Sequence, residues 1–395
     1  MIYYPQIVGP YIQHLKGLNV EGLNGTAAAK RAAIELLLSG ELKGAADALG
    51  AVIADSAPDA YASGALGFIA YLERQGELAL EHLERAVELD PHDANNLALL
   101  AVCYLGLERH AQALDAFRGA LRLDPALHAA HTLMWSGIAG IGAMASASNA
   151  LKRALLDDRP QMDVASASKT RVENTTLCVV DCANYALAER ALRLCMAGCI
   201  FQSVKWLTDR PRVVPGVQTV VISPIRSFAE YSRFMLKDLL RHVETEYVLI
   251  AQWDGYIVNP QAWSPEFLLF DYIGARWDQT SHRQHDQHDV GNGGFSLRSR
   301  ALLEALQDPA IKPSHPEDAA ICHSYRSYLE DRHGIVFAPE DVADRFSFEH
   351  IEQPTLPFGF HGITNLARFA AIPGLVTLDT FFGAAKPMAI PRLGR

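Results

Sequence analysis

The residues able to do chemistry gather in the second half of the chain. Tyr247-Val248-Leu249-Ile250-Ala251 runs into Gln252-Trp253-Asp254-Gly255, so an apolar strand ends in a sharp turn that carries a carboxylate. In open α/β sheets, ligands collect beyond the carboxyl ends of strands, and an acid there can hold a divalent ion against a diphosphate. Gly291-Asn292-Gly293-Gly294-Phe295 offers a cradle: its glycines permit positive φ and close backbone approach, and Asn292 is a partner for a sugar hydroxyl. Glu317-Asp318 follows Pro316 and opens an expected helix through Tyr328, supplying either a candidate base or acids that simply favour a helix start. Phe360-His361-Gly362 adds a late imidazole in a glycine-flanked loop. Together these groups point to sugar transfer from a nucleotide donor.

The elements that must position them alternate. Leu177-Cys178-Val179-Val180 precedes a helical pattern from Tyr185 to Met196; Val204 to Leu207 and Thr219 to Ile222 follow, then a second helical pattern from Phe228 to His242 and the strand at Val248. Such alternation predicts a mostly parallel sheet with crossover helices. The first strand ends at Asp181, so Asp181, Cys182 and Asn184 are candidate donor contacts, with a helix cap by Asn184 as the plainer reading. Asp209, in Thr208-Asp209-Arg210-Pro211, is either a donor contact or a turn residue. The run from Ser281 to Asp289 alternates His and Asp, but a solvated loop needs only such polarity. Trp253, Tyr256, Trp263 and Trp277 suit either sugar stacking or packing at a sheet edge.

The first third has a different grammar. Asp90-Pro91 recurs as Asp124-Pro125 at an interval of 34 residues. Leu66, Gly67, Ala70, Ala79, Leu83 and Ala86 align with Leu100, Ala101, Tyr104, Ala113, Phe117 and Ala120. That period belongs to helix-turn-helix repeats. Units at 26–59, 60–93 and 94–127 with a capping helix at 128–141 give a helical domain over 1–143, and the polar stretch 144–173 serves as linker. The α/β domain then covers 174–372, with an apolar, Pro/Gly-spaced tail at 373–395. A repeat array of this kind offers a groove for a protein partner, or a platform for the catalytic part.

Composition bounds the partners. In 395 residues, 49% hydrophobic and 20% charged, there is material for two cores. The formal charge of −10, without a dense Lys/Arg block, disfavours a nucleic-acid partner. No run approaches about 18 apolar residues and no basic signal opens the chain, so the expectation is a cytoplasmic protein without a transmembrane segment. The six cysteines form no zinc-type pair and read as small buried hydrophobes.

Two resemblances sharpen this. The repeats resemble tetratricopeptide repeats. Trp206-Leu207-Thr208-Asp209, Tyr231-Ser232, Thr245 to Ile250, Gln252-Trp253-Asp254-Gly255, Asp271 to Ala275, Gly291 to Ser299, Glu317-Asp318 and Phe358 to Gly362 resemble a bacterial family of uncharacterised proteins similar to GT-A glycosyltransferases and found with polysaccharide-synthesis genes. The resemblance runs from about Asn174 to Phe369. It implies a GT-A-like nucleotide-sugar-binding fold, with donor contacts at Asp181, Asn184, Asp209, Asp254, Gly291, Asn292, Gly293 and Gly294. It further implies Asp254 and His361 on a divalent metal, Mn or Mg, and an inverting reaction with Asp318 as base and Glu317 as acceptor contact. The acceptor would be a glycan, lipid-linked glycan or protein. One departure stands out: the first acid of the family's Asp-x-Asp is Gln252 here, which keeps open a non-catalytic adaptor with a degenerate sugar or nucleotide site.

Overall fold

The computed structural model describes residues 1–17, 26–55, 58–124, 127–140, 142, 144–157, 169–277, 289–349, 353 and 355–366. The His/Asp run at 281–288 and the tail 373–395 lie outside them. The chain divides into two compact units, one within Met1–Asp158 and one within Arg159–Phe369.

The first unit is a series of helical hairpins. α1 (Val8–Gly17) precedes three pairs, α2 (Ala27–Leu38) with α3 (Leu42–Asp55), α4 (Ala60–Leu72) with α5 (Gly76–Leu89), and α6 (Ala94–Gly106) with α7 (His110–Leu123). α8 (His128–Gly140) and α9 (Met144–Asp157) follow. The repeat is written into the helix ends: Asp59 and Asp93 accept backbone N–H groups in the first turns of α4 and α6. α5 and α7 stop directly before Asp90-Pro91 and Asp124-Pro125, because the residue before proline is pushed out of the helical region. Small residues set helix spacing, and a Cβ on Gly67 would fall 2.6 Å from the Leu83 side chain. α9 occupies 144–157 and the next strand opens at Thr170.

The chain's own N-terminus packs on α4 and α6. The Tyr11 hydroxyl bonds the Asn96 side chain, and its ring packs on Phe68 with centroids 4.8 Å apart. The Tyr71 hydroxyl accepts the Tyr4 N–H at 2.8 Å and donates to the Tyr4 carbonyl at 3.0 Å. Gly64 leaves room for the Tyr11 hydroxyl and Gly106 for the Ile2 carbonyl.

The second unit is built on one six-stranded sheet, in the order β3-β2-β1-β4-β6-β5. Its strands are β1 (Thr170–Val180), β2 (Cys199–Thr208), β3 (Gln218–Val221), β4 (Tyr247–Ala251), β5 (Tyr272–Ile273) and β6 (Ser296–Ser299). The first four run parallel, with α10 (Tyr185–Gly198) and α11 (Phe228–Lys237) as crossovers, while β6 is antiparallel to both β4 and β5. Val248, Leu249, Ile250 and Ala251 are fully buried, as a strand covered on both faces requires. α12 (Arg300–Ala305), α13 (Glu317–Ala319), α14 (Arg326–His333) and α15 (Glu340–Phe346) complete the helices, and β7 (Ser347–Phe348) pairs in parallel with β8 (Gly359–Phe360). The single helix expected from Glu317 to Tyr328 is instead α13, a π turn at Ala320–Ser324, and α14. Among the described residues, no helix is long and apolar enough to cross a membrane.

Candidate functional site

Strand direction assembles the site. β1 and β4 are parallel, so Asp181 and Gln252 leave the sheet at the same edge. β6 is antiparallel and therefore begins there; Ser296 pairs with Ile250, which sets Gly293 and Gly294 beside the Gln252 turn. A cavity of about 730 Å³ opens at this edge, lined by Asp181 and Asn184, by Gln252 and Trp253, by Gly293 and Gly294, and by Glu317, Asp318 and His361.

His361 is placed by the short pair β7–β8. Phe348 sits opposite Phe360, so the next residues, Glu349 and His361, meet: Glu349 Oε1 lies 3.0 Å from His361 Nδ1. On the other side Nε2 is 3.3 Å from Gln252 Oε1 and 3.8 Å from Asp254 Oδ1. Burial works to lower the imidazole pKa, but the Glu349 carboxylate, with Asp254 and Asp318, outweighs it and holds the group raised at about 9. Gln252 also donates to the Tyr231 hydroxyl at 2.9 Å, so its amide ties the turn to α11.

The glycines work by proximity. A Cβ on Gly294 would fall 2.0 Å from His361 Nε2, and one on Gly293 would fall 2.6 Å from Glu317 Oε1. The positive φ of this segment, +56°, belongs to Asn292. Asn292 is buried, its amide 2.6 Å from Glu349 Oε2, so it braces His361 from behind, a different post from the expected contact with a sugar hydroxyl. Gly291 packs under the Trp277 ring. Neither is among the cavity-lining residues described.

The two acids of α13 divide their work. Asp318 Oδ2 accepts from the Gly293 N–H at 2.9 Å and Oδ1 from the Ala319 N–H at 2.8 Å, while the carboxylate borders the cavity. Glu317 is only 6% exposed and is held by Arg298 Nη2 at 3.3 Å and by the Ser232 hydroxyl at 3.2 Å. Glu317 nevertheless borders the cavity. The same pair occupies Arg298. The guanidinium is fully buried, and although burial works to lower its pKa, Tyr272 and Glu317 outweigh it and keep it above its ordinary value.

At the β1 edge, Asp181 accepts from the N–H groups of Ala183 at 2.7 Å and Asn184 at 2.5 Å, so it closes the turn that leads into α10 while bordering the cavity. Asp209 accepts from the Tyr185 hydroxyl at 2.7 Å and is not among the lining residues described. Trp263, Tyr256 and Trp277 pack against Phe358, Phe360 and His323. The sequence reading missed Glu349, Phe228, Ser232 and His315 as site residues. Phe228 and Ser232 share a face of α11 at helical spacing, and His315 stands two residues before Glu317, so signals existed for these; Glu349 had none. Among the described residues, no group of three or more His, Cys, Asp or Glu is set to hold a metal ion.

Comparisons with known proteins come to the following. Residues 216–361 match a family described as protein of unknown function, DUF5672. The curated proteins contain no match. Among solved structures, MamA is similar at 19% identity, over 36% of this chain and 88% of its own, with a TM-score of 0.30. An O-GlcNAc transferase mutant from Thermobaculum terrenum is similar at 19% identity over 55% of this chain and 45% of its own, with a TM-score of 0.29. Likeness at that level leaves the reading of the site to its own geometry.

Proposed function

We propose that the α/β unit is a GT-A-like glycosyltransferase, moving a sugar from a nucleotide-sugar donor to a hydroxyl of a glycan, lipid-linked glycan or protein. The observation that carries the reading is convergence: Asp181, Gly293, Gly294, Asp318 and His361, far apart in sequence, border one cavity at the carboxyl edge of the parallel strands. The nucleoside end of the donor belongs at Asp181 and Asn184. Its diphosphate belongs against Gly293-Gly294 and His361, at the edge where the Asp254 turn stands.

Asp318 is the base. Two backbone N–H bonds hold its carboxylate in a single orientation, ready to take the acceptor hydroxyl's proton during an inverting attack. A divalent ion, Mn or Mg, would find one carboxylate and one imidazole here, its other ligands coming from the donor diphosphate. With Nδ1 engaged by Glu349, His361 Nε2 faces Asp254 and the Gln252 carbonyl oxygen, a nitrogen and oxygen set suited to such ions. Asp254 and His361 would hold the ion, and its chemistry there is neutralisation of the leaving diphosphate.

Gln252, in place of an acid, favours a second reading: a binding module without turnover. Incubation with a panel of nucleotide sugars, following nucleoside diphosphate release, separates the two. The expected result is release by the wild type, stabilisation by UDP or GDP with Mn, and loss of that stabilisation in Asp254→Ala. Binding without release from any donor selects the binding module, and full turnover in Asp318→Ala rejects the base.

A further inference from the structure

At the mouth of the cavity stands an aromatic pair that the donor does not need. Phe228, the first residue of α11, is 79% exposed, forgoing the burial a phenyl ring normally finds. His315 lies parallel to it, with ring centroids 5.9 Å apart and an interplanar angle of 17°, and both rings border the cavity.

A chain of hydrogen bonds fixes the imidazole. His315 Nδ1 is 2.9 Å from the Ser232 hydroxyl oxygen, and the same hydroxyl is 3.2 Å from Glu317 Oε2. Glu317, paired with Arg298, accepts only, so the single Ser232 proton points to Glu317 and the Ser232 oxygen receives the Nδ1 hydrogen. This tautomer leaves a lone pair on Nε2, so the pair presents an apolar face beside a hydrogen-bond acceptor. Asp318 is carried by the same loop, three positions on.

We propose that Phe228 and His315 form the acceptor subsite and that its ligand is a pyranose ring with free hydroxyls. The ring's apolar face lies on the aromatic pair, one hydroxyl donates to His315 Nε2, and a neighbouring hydroxyl reaches Asp318. Ser232 is a positioning residue that sets the imidazole tautomer. A nucleobase is the alternative ring, and its binding here is one of the outcomes the test separates. The inference rests on the glycosyltransferase reading and names the class of acceptor.

The test uses the full chain labelled with 13C at histidine Cε1, with the His315 signal assigned by its absence in His315→Asn. The probes are the methyl glycosides of glucose, galactose, mannose and N-acetylglucosamine, and separately uridine and UDP. At least one glycoside is expected to shift the His315 signal while uridine and UDP leave it in place. Phe228→Ala should weaken that glycoside about tenfold, the size of a lost aromatic stacking contact. Unmoved signals from the other histidines show that this variant is folded, and Phe228→Leu serves if it is not. A His315 signal unmoved by every glycoside, or moved by uridine, overturns the proposal. Failure of the enzyme reading shows separately, as absence of nucleoside diphosphate release from every donor.

Discussion

Gly294 is the least forgiving residue of the site. Any side chain there must displace His361, because a Cβ would lie 2.0 Å from Nε2. Gly294→Ala is therefore expected to reduce turnover by about 10²-fold, the cost of moving a catalytic group by about an ångström. Steady-state kinetics on whichever donor the wild type hydrolyses measures it, and a fully active Gly294→Ala protein would show that the imidazole plays no part. At this scale the sequence exposed residue types but not their partners. Asp318 and His361 were visible as an acid and an imidazole in suitable loops. Glu317 and Asn292 were equally visible, yet both are buried and spent on neighbours, Arg298 and Glu349, that only the fold brings near.

Elements whose signals are local were legible, and those defined by pairing were not. The hairpins follow from the 34-residue interval, the prolines and the small residues, all of which act within one or two turns of helix. β6 was hidden, because Ser296-Leu297-Arg298-Ser299 shows no pattern that reveals its direction, and the two-residue strands β7 and β8 are too short to read at all. One cap illustrates how firmly the local signals act. Asp93 accepts from the N–H groups of Asn95 at 2.9 Å and Asn96 at 3.0 Å, and His14 Nε2 lies 3.0 Å from its other oxygen. Burial works to raise its pKa, but His14 and the two N–H groups outweigh this and bring it below the ordinary 3.8. A folded-state pKa below the unfolded one stabilises above the unfolded value and is lost as pH falls through the folded one. Asp93→Ala is thus expected to cost about 1 kcal/mol at neutral pH. The gap from wild type should shrink in acid once the pH drops below the ordinary carboxylate value. Urea titrations of both proteins at neutral and acidic pH check this, and a gap that widened in acid would contradict the sign.

On the scale of the whole chain, two cores with separate jobs predict separable responses. The N-terminal segment is locked into the repeat unit through Tyr11, whose ring and hydroxyl meet Phe68 and Asn96, while Asp254 and His361 belong to the α/β unit. A nucleoside diphosphate that binds the α/β unit stabilises only what it touches, by about 2.7 kcal/mol at a hundred times its dissociation constant. Tyr11→Ala removes a buried aromatic from the other core, a loss of about 3–5 kcal/mol for a large-to-small change of this kind. Calorimetry is therefore expected to show two transitions: UDP with Mn raises one, and Tyr11→Ala lowers the other. In the double variant Tyr11→Ala, Asp254→Ala the first should no longer respond to ligand, and the second should fall by the same amount as in the single variant, since distant sites add. If instead both transitions move together with ligand, or Tyr11→Ala alters the response to UDP, the repeats are energetically coupled to the site. They would then have to be counted as part of its binding machinery rather than as a separate surface.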